Sequence, residues 1–270
     1  MDLLREKEMR LRSLLRAHGS LAVAFSGGVD STLLLKLAFE ELGEKAFAVS
    51  ARVPMTPSSE LEEARSFCEK IGVRQVFCTP EVLSLPEVKS NDPKRCYYCK
   101  KALFSAMKQK AASLGFSCIA DGTNTDDLGD YRPGLQALHE LGVVSPFLKA
   151  EFSKTDIRDL SRRLGLSTWN KQSNACLATR IPYGCSLSEE VLRKIDAIEQ
   201  RLHLWGLSRV RLRVHNDLAR IEVDPCDFEV AISQAFRDDV IPYIKNQGFT
   251  FVTLDLEGFR SGSMNESLPD

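Results

Sequence analysis

Over the first 165 residues, short apolar runs alternate with stretches in which apolar positions recur every three or four residues. Runs of four to eight apolar residues read as buried strands, and the longer periodicity reads as amphipathic helix. Strands are predicted over 21–25, 46–50, 73–78 and 117–120, with a fifth at 143–147. Helices are predicted over 30–42, over 58–71 with Ser58 and Ser59 as caps, over 95–114, and after Ser153 as an N-cap. Such alternation implies an α/β fold, a doubly wound parallel sheet wrapped by helices. After a loop over 170–186 the grammar changes. A charged helix over 188–204 precedes two strands, 209–214 and 218–223, joined by a tight turn at His215-Asn216-Asp217. A further helical stretch and a strand over 249–255 complete a smaller α+β unit. The expected division is residues 1–180 and 181–270, the second part serving substrate binding or homo-oligomer assembly.

The composition is that of an ordinary globular protein, 43% hydrophobic and 27% charged, with a net charge of −1. No global positive field therefore favours nucleic acid or anionic lipid, and any bound anion must be held by a local site. The first twenty residues mix Leu and Met with charges at helical spacing, unlike the uninterrupted apolar stretch of a signal peptide. No later segment approaches the roughly 20 apolar residues of a membrane helix. The eight cysteines accordingly read as reduced thiols, and a cytoplasmic location without membrane association is expected.

Ser26-Gly27-Gly28-Val29-Asp30-Ser31-Thr32 lies between the first predicted strand and the first helix. Two glycines let the backbone turn tightly and approach a ligand without Cβ obstruction. The amides of this turn and of the helix N-terminus then form an anion-binding nest, to which Ser26, Ser31 and Thr32 add hydroxyls. A merely capped turn would not require this convergence at the carboxyl end of a first strand, where open α/β sheets bind ligands. The loop is neither a Walker A motif nor a G-x-G-x-x-G fingerprint. It resembles the SGGxDS signature of the PP-loop ATP pyrophosphatases, which cleave ATP between the α and β phosphates and attach AMP to a carboxylate or carbonyl oxygen. ATP and Mg²⁺ are thereby implied.

A second polar cluster, Asp121-Gly122-Thr123-Asn124-Thr125-Asp126-Asp127, follows the fourth strand. In a doubly wound sheet, strands one and four flank the crevice where the winding reverses, so both loops would face one nucleotide. Gly122 would line the site, with Ser50 at the end of the second strand. Asp126 or Asp127 suits Mg²⁺, as does Asp30, and Arg132 suits a phosphate. The competing reading of each single residue is a polar turn.

Cys96 and Cys99 form a C-x2-C pair flanked by Lys94, Arg95, Lys100 and Lys101, which would favour thiolate. At i, i+3 on a helix both thiols share a face. One pair alone cannot make a four-cysteine zinc site. A redox dithiol remains open, although no thioredoxin-like first strand precedes the pair. With Cys176 as a third thiolate, a [4Fe-4S] cluster could be held with one iron open to carry a transferable sulfide. Cys68, Cys78, Cys118 and Cys226 read as small core residues, and Cys185 as a weak spare ligand. In the second part, Arg209, Arg211 and Arg213 alternate with apolar residues on one sheet face. They read either as a pocket for an anionic group or as cross-strand ion pairs worth about 0.2–1 kcal/mol each.

The phosphate loop, DGTNTDDLGDYRPG (121–134), CLATRIPYG (176–184), VRLRVHNDLARIEVDP (210–225) and DLEGFRSGSMNE (255–266) together resemble the LarE family, sulfur transferases of nickel-pincer nucleotide biosynthesis that serve lactate racemase. The resemblance covers nearly the whole chain. It implies a pyridinium biscarboxylic acid mononucleotide as substrate, adenylylated with ATP and converted to thiocarboxylates, with partner enzymes of cofactor biosynthesis. It also implies Cys176 as the sulfur-bearing residue, with Arg180, Arg211 and Arg213 orienting the mononucleotide. Family members with a C-x2-C pair resemble a cluster-dependent type, whereas those with the Cys176 equivalent alone sacrifice its sulfur and leave dehydroalanine. Cys96, Cys99 and Cys176 occur together here, which favours the cluster type. A tRNA-thiolating enzyme of the same superfamily is the alternative, and a non-catalytic nucleotide- or metal-binding module another.

Overall fold

The computed structural model describes residues 3–129, 133–172, 175–207 and 209–260. The chain divides into two compact units. The first comprises residues up to Val53, Ser58–Leu85 and 94–174, and the second comprises Pro54–Pro57, Pro86–Pro93 and the chain from Ala175 onward.

The first unit opens with helix α1 (Leu3–His18), followed by β1 (Leu21–Ala24), α2 (Val29–Leu42), β2 (Ala46–Ala51), α3 (Ser58–Ile71) and β3 (Gln75–Cys78). A short helix α4 (Pro86–Lys89) belongs to the second unit. The first unit resumes with α5 (Arg95–Ala112), β4 (Ile119–Ala120), α6 (Pro133–Glu140), α7 (Pro146–Lys149) and α8 (Lys154–Arg163). All pairings in its sheet are parallel, in the order β3-β2-β1-β4. Leu21, Val23, Ala46 and Ala48 point to one face, where Leu33, Leu34, Leu37, Ala64, Ile157 and Leu160 cover them. Ala22, Phe47 and Val49 point to the other, against Phe104, Met107 and Ala111 of α5. Burial on both faces explains why these strands read as unbroken apolar runs instead of alternating ones.

The expected fifth strand over 143–147 does not form. Val144 makes an isolated parallel bridge to Ala120, and Pro146 then starts α7. Proline has no amide proton for a ladder and is preset for a first helical turn, so the apolar Phe147 is buried from a helix.

In the second unit, α9 (Glu189–His203) precedes the hairpin of β5 (Val210–His215) and β6 (Leu218–Val223). Its two-residue turn has Asn216 at φ 57, the left-handed conformation such turns require and Asn tolerates. The helices α10 (Phe228–Ala231) and α11 (Gln234–Asn246) form the crossover to β7 (Phe251–Leu254), which pairs parallel to β6. Val210, Leu212, Ala219, Ile221 and Val223 are buried together with Leu192, Ile195 and Ile198 of α9 and Val240 and Ile244 of α11. No helix among the described residues is long and apolar enough to cross a membrane.

Candidate active site

The phosphate loop leaves β1 at Phe25, whose amide still donates to Val49 in β2, and α2 begins at Val29. Gly27 has φ +75, and a Cβ there would lie 3.1 Å from the Ala64 side chain of α3, so two independent reasons demand glycine. Gly28 is the extended N-cap of α2. The Ser26 and Ser31 hydroxyls lie 3.2 Å apart, the Gly28 amide donates to Ser26 Oγ at 3.4 Å, and Ser31 Oγ donates to the Gly28 carbonyl at 3.2 Å. Nearby, the Ser50 hydroxyl donates to the Phe25 carbonyl at 2.7 Å and accepts from Gln75 at 2.9 Å. Ser50 is buried, so its hydroxyl fixes the start of the loop.

The β4 loop packs on the same turn, as its place beside β1 foretold. A Cβ on Gly122 would stand 2.9 Å from Asp30 Cβ, an approach only glycine permits. Asp121 is buried and accepts from Ser145 at 2.6 Å and from Thr123; burial raises its carboxyl pKa. Asn124 Nδ2 donates to Asp30 Oδ1 at 3.4 Å, and the Asp126 amide donates to Asn124 Oδ1 at 3.0 Å. Arg132 lies outside the described residues. Among the described residues, no three His, Cys, Asp or Glu side chains form a ready-made metal cage. The carboxylates of Asp30 and Asp126 offer the oxygen donors that Mg²⁺ takes, one or two of them when phosphates supply the rest.

Two lysines reach this region that no local pattern indicated. Lys154 Nζ meets Asp30 Oδ2 at 2.5 Å, and Lys171 Nζ donates to the Gly27 carbonyl at 3.1 Å and to Glu63 at 2.6 Å. Their sequence separations from those partners are 124, 144 and 108 residues, beyond the reach of any local signal. Thr32 is fully buried, its Oγ1 lacks a hydrogen-bond partner among the described residues, and it borders a cleft of about 910 Å³ with Gly27, Lys36, Ser66 and Thr168.

Cys96 and Cys99 are the second and fifth residues of α5, Cys96 exposed and Cys99 half-buried. Of the flanking cations, Arg95 is buried and Lys101 is paired with Glu140 at 2.9 Å. None of the eight cysteines is in a disulfide. Burial pushes the Cys68 thiol up to about 12 and raises those of Cys78 and Cys118, as expected of core residues. Cys226 departs from expectation: it is exposed, because Pro225–Asp227 forms a turn after β6.

In the second unit, Cys176 caps the one-turn helix over Leu177–Arg180, with Cys176 exposed. Its backbone is strongly held. The Cys176 carbonyl accepts from the Thr179 amide at 2.9 Å, the Thr179 hydroxyl at 2.8 Å and Arg180 Nη1 at 3.4 Å, while the Leu177 amide donates to Met55. Asn91, buried at φ 56, donates through Nδ2 to the carbonyls of Ile181 and Pro182. Arg180 is buried, forked onto Glu199 at 2.9 and 2.8 Å, with Nη1 on the Ala175 carbonyl at 2.8 Å. Arg213 is likewise forked onto buried Glu222 at 3.0 and 2.9 Å, with Nη1 on the Thr179 carbonyl at 2.8 Å. Both guanidiniums thus clamp the backbone beside Cys176. Arg211 differs: it donates to the Val210 carbonyl and stacks over Phe259 at 5.0 Å. Burial, then the positive charges of Arg180 and Arg213, lower its pKa to about 10. Arg209 lies 3.9 Å from Asp224.

A parallel sheet with this glycine–hydroxyl loop at the carboxyl edge of β1 defines a PP-loop ATP pyrophosphatase. The family described as asparagine synthase matches residues 9–88, which include the loop. A glutamine-hydrolysing GMP synthase chain from Thermoplasma volcanium is 26% identical over 56% of this chain and 53% of its own. Two relatives match almost end to end: an uncharacterised protein of Synechocystis, 38% identical over 97% of this chain and 98% of its own, and the pyridinium-3,5-bisthiocarboxylic acid mononucleotide synthase of Lactiplantibacillus plantarum, 39% identical over 99% of this chain and 97% of its own. The chain belongs to the family of that synthase, the LarE family.

Proposed function

We propose that this enzyme converts the carboxylates of pyridinium-3,5-biscarboxylic acid mononucleotide to thiocarboxylates, with ATP as activator and Cys176 at the point of sulfur transfer. The observation that carries the proposal is an exposed Cys176 on a backbone locked by two buried Arg–Glu pairs, in a chain that also bears a complete phosphate loop. A carboxylate resists nucleophilic attack because it is an anion that would have to expel oxide. Attack of its oxygen on the α-phosphorus expels pyrophosphate and leaves an acyl-adenylate, whose acyl group no longer bears the carboxylate charge and has AMP as leaving group. The loop amides at 27–31, with the Ser26 and Ser31 hydroxyls, would receive charge growing on the pyrophosphate oxygens. Mg²⁺ held by Asp30 and Asp126 would supply charge neutralisation across the phosphates. Arg211 would take the mononucleotide phosphate, which would offset the positive charge of its neighbours.

Cys96, Cys99 and Cys176 would hold a [4Fe-4S] cluster whose open iron supplies a sulfide nucleophile. The joint occurrence of Cys96, Cys99 and Cys176 supports this source over sacrifice of the Cys176 sulfur, because the resemblance pairs a C-x2-C motif with the cluster-dependent type. Anaerobic purification with iron and sulfide analysis, combined with turnover counts for Cys96→Ala and Cys176→Ala, tests the reading. About four irons per chain and loss of multiple turnovers in both variants are expected. An iron-free protein in which only Cys176→Ala is inactive would show sacrificial transfer. The net charge of −1 argues against tRNA as substrate, and no tRNA binding at moderate salt is expected.

A further inference from the structure

Three chain segments bring charge to one point of the phosphate loop. Asp30 lies in the first turn of α2, Asp126 lies in the β4 loop, and Lys154 is the first residue of α8. Lys154 addresses both carboxylates: its ammonium is 2.5 Å from Asp30 Oδ2, and its backbone amide donates to Asp126 Oδ2 at 3.0 Å. The placement is built into the fold. Ser153 and Asp156 form a complete capping box that fixes the first turn of α8. The Thr125 amide and hydroxyl both donate to the Phe152 carbonyl, at 2.9 and 3.0 Å, which ties the β4 loop to the residues just before Lys154.

Asp30 and Asp126, both held by Lys154, put two carboxylates beside a loop made for phosphates. Without a cation this field would repel the ligand that the loop amides are shaped to receive. Lys154 supplies one positive charge where Asp30 faces the loop, so a divalent cation arriving with the nucleotide must compete with it for Asp30.

We propose that Lys154 is a further active-site residue that exchanges partners: it neutralises Asp30 in the nucleotide-free enzyme, yields that carboxylate to the divalent cation, and then pairs through its ammonium with the pyrophosphate portion of ATP. This rests on the reading of the loop as a Mg²⁺–nucleotide site. No bond is made or broken; an ammonium exchanges a carboxylate partner for a phosphate one. Lys154 thus makes bare metal binding weak and nucleotide-assisted metal binding strong.

Two titrations on the full-length protein test the exchange: Mn²⁺ alone, followed by the paramagnetic signal of the free ion, and Mn²⁺–pyrophosphate, followed by calorimetry. Lys154→Met keeps the aliphatic stem and removes the charge, Lys154→Gln repeats the loss in a polar side chain, and Lys154→Arg retains the charge. In both neutral variants Mn²⁺ alone is expected to bind about fivefold tighter, because Asp30 has lost its competitor, and Mn²⁺–pyrophosphate about tenfold weaker. Lys154→Arg should stay within about twofold of the unaltered protein in both. Unchanged values for both neutral variants in either titration would overturn the exchange while leaving the nucleotide site intact. Failure of the unaltered protein to bind Mn²⁺–pyrophosphate would instead remove the nucleotide reading, and this inference with it.

Discussion

At the scale of single residues, the second unit uses three arginines on one structural theme in two different ways. Arg180 and Arg213 are buried, and each is forked onto a glutamate and bonded to a backbone carbonyl beside Cys176. Removing one partner of such a pair strands a charge. Glu199→Ala should therefore cost about 3–5 kcal/mol of unfolding free energy by urea titration. A cost under about 1 kcal/mol, the range of a surface pair, would show that the fork does not hold the loop. Arg211 should behave oppositely. Its pKa is lowered, so its charge opposes folding at every pH below about 10, and the opposition fades only as pH rises through that value. Arg211→Met, which keeps the stem on Phe259, is expected to leave the unfolding midpoint near neutral pH unchanged or raised while weakening the mononucleotide about tenfold. A midpoint drop matching that of Glu199→Ala would assign Arg211 to structure instead. Period-two alternation put Arg211 and Arg213 on one face and allowed the cross-strand pair that Arg213 makes with Glu222, but it did not extend to Arg180, whose partner Glu199 lies 19 residues away on α9.

At the scale of elements, the short-range signals in the chain were the readable ones. Gly27-Gly28 at the end of an apolar run marked the strand–turn–helix, and Ser153 marked the start of α8. Misreading came where one residue overrode a pattern: Pro146 turned an apolar run into a helix, and the turn at Pro225–Asp227 left Cys226 exposed. The α8 N-terminus is also where element stability meets the site, since its cap fixes Lys154. Ser153→Ala should cost about 1 kcal/mol. At Asp156, burial works against the carboxylate, but hydrogen bonds from Lys7 and Ser153 outweigh it and hold the carboxyl below its ordinary range. Its contribution to stability is thus present above the ordinary carboxyl pKa and lost as the pH falls through the lowered value. Lys7→Met should remove part of that acid dependence, visible as a shallower loss of thermal stability below about pH 4. An unchanged acid limb would exclude the pairing as its source.

At the scale of the whole molecule, the change from strand–helix alternation to an α+β pattern was legible, as was the doubly wound order that sets β4 beside β1. The contribution of 54–57 and 86–93 to the second unit was not, because it depends on carbonyls of Met55 and Lys89 and on Asn91 meeting amides and carbonyls about 90 or more residues away. A fragment beginning at residue 175 lacks those partners and should unfold without cooperativity, whereas the intact chain should show a sigmoidal transition by circular dichroism. A cooperative fragment would mean that these segments are dispensable. Lys154 and Lys171 were equally hidden, since each acts only through a tertiary contact. Sulfur transfer itself is tested most directly by anaerobic incubation of ATP, Mg²⁺ and the biscarboxylate mononucleotide with unaltered protein and with Cys176→Ala, followed by mass spectrometry. The unaltered protein should release pyrophosphate and yield the thiocarboxylate, and the variant should release pyrophosphate but stop at the adenylate. Thiocarboxylate formed by Cys176→Ala, or unaltered protein that releases no pyrophosphate, would contradict the assignment.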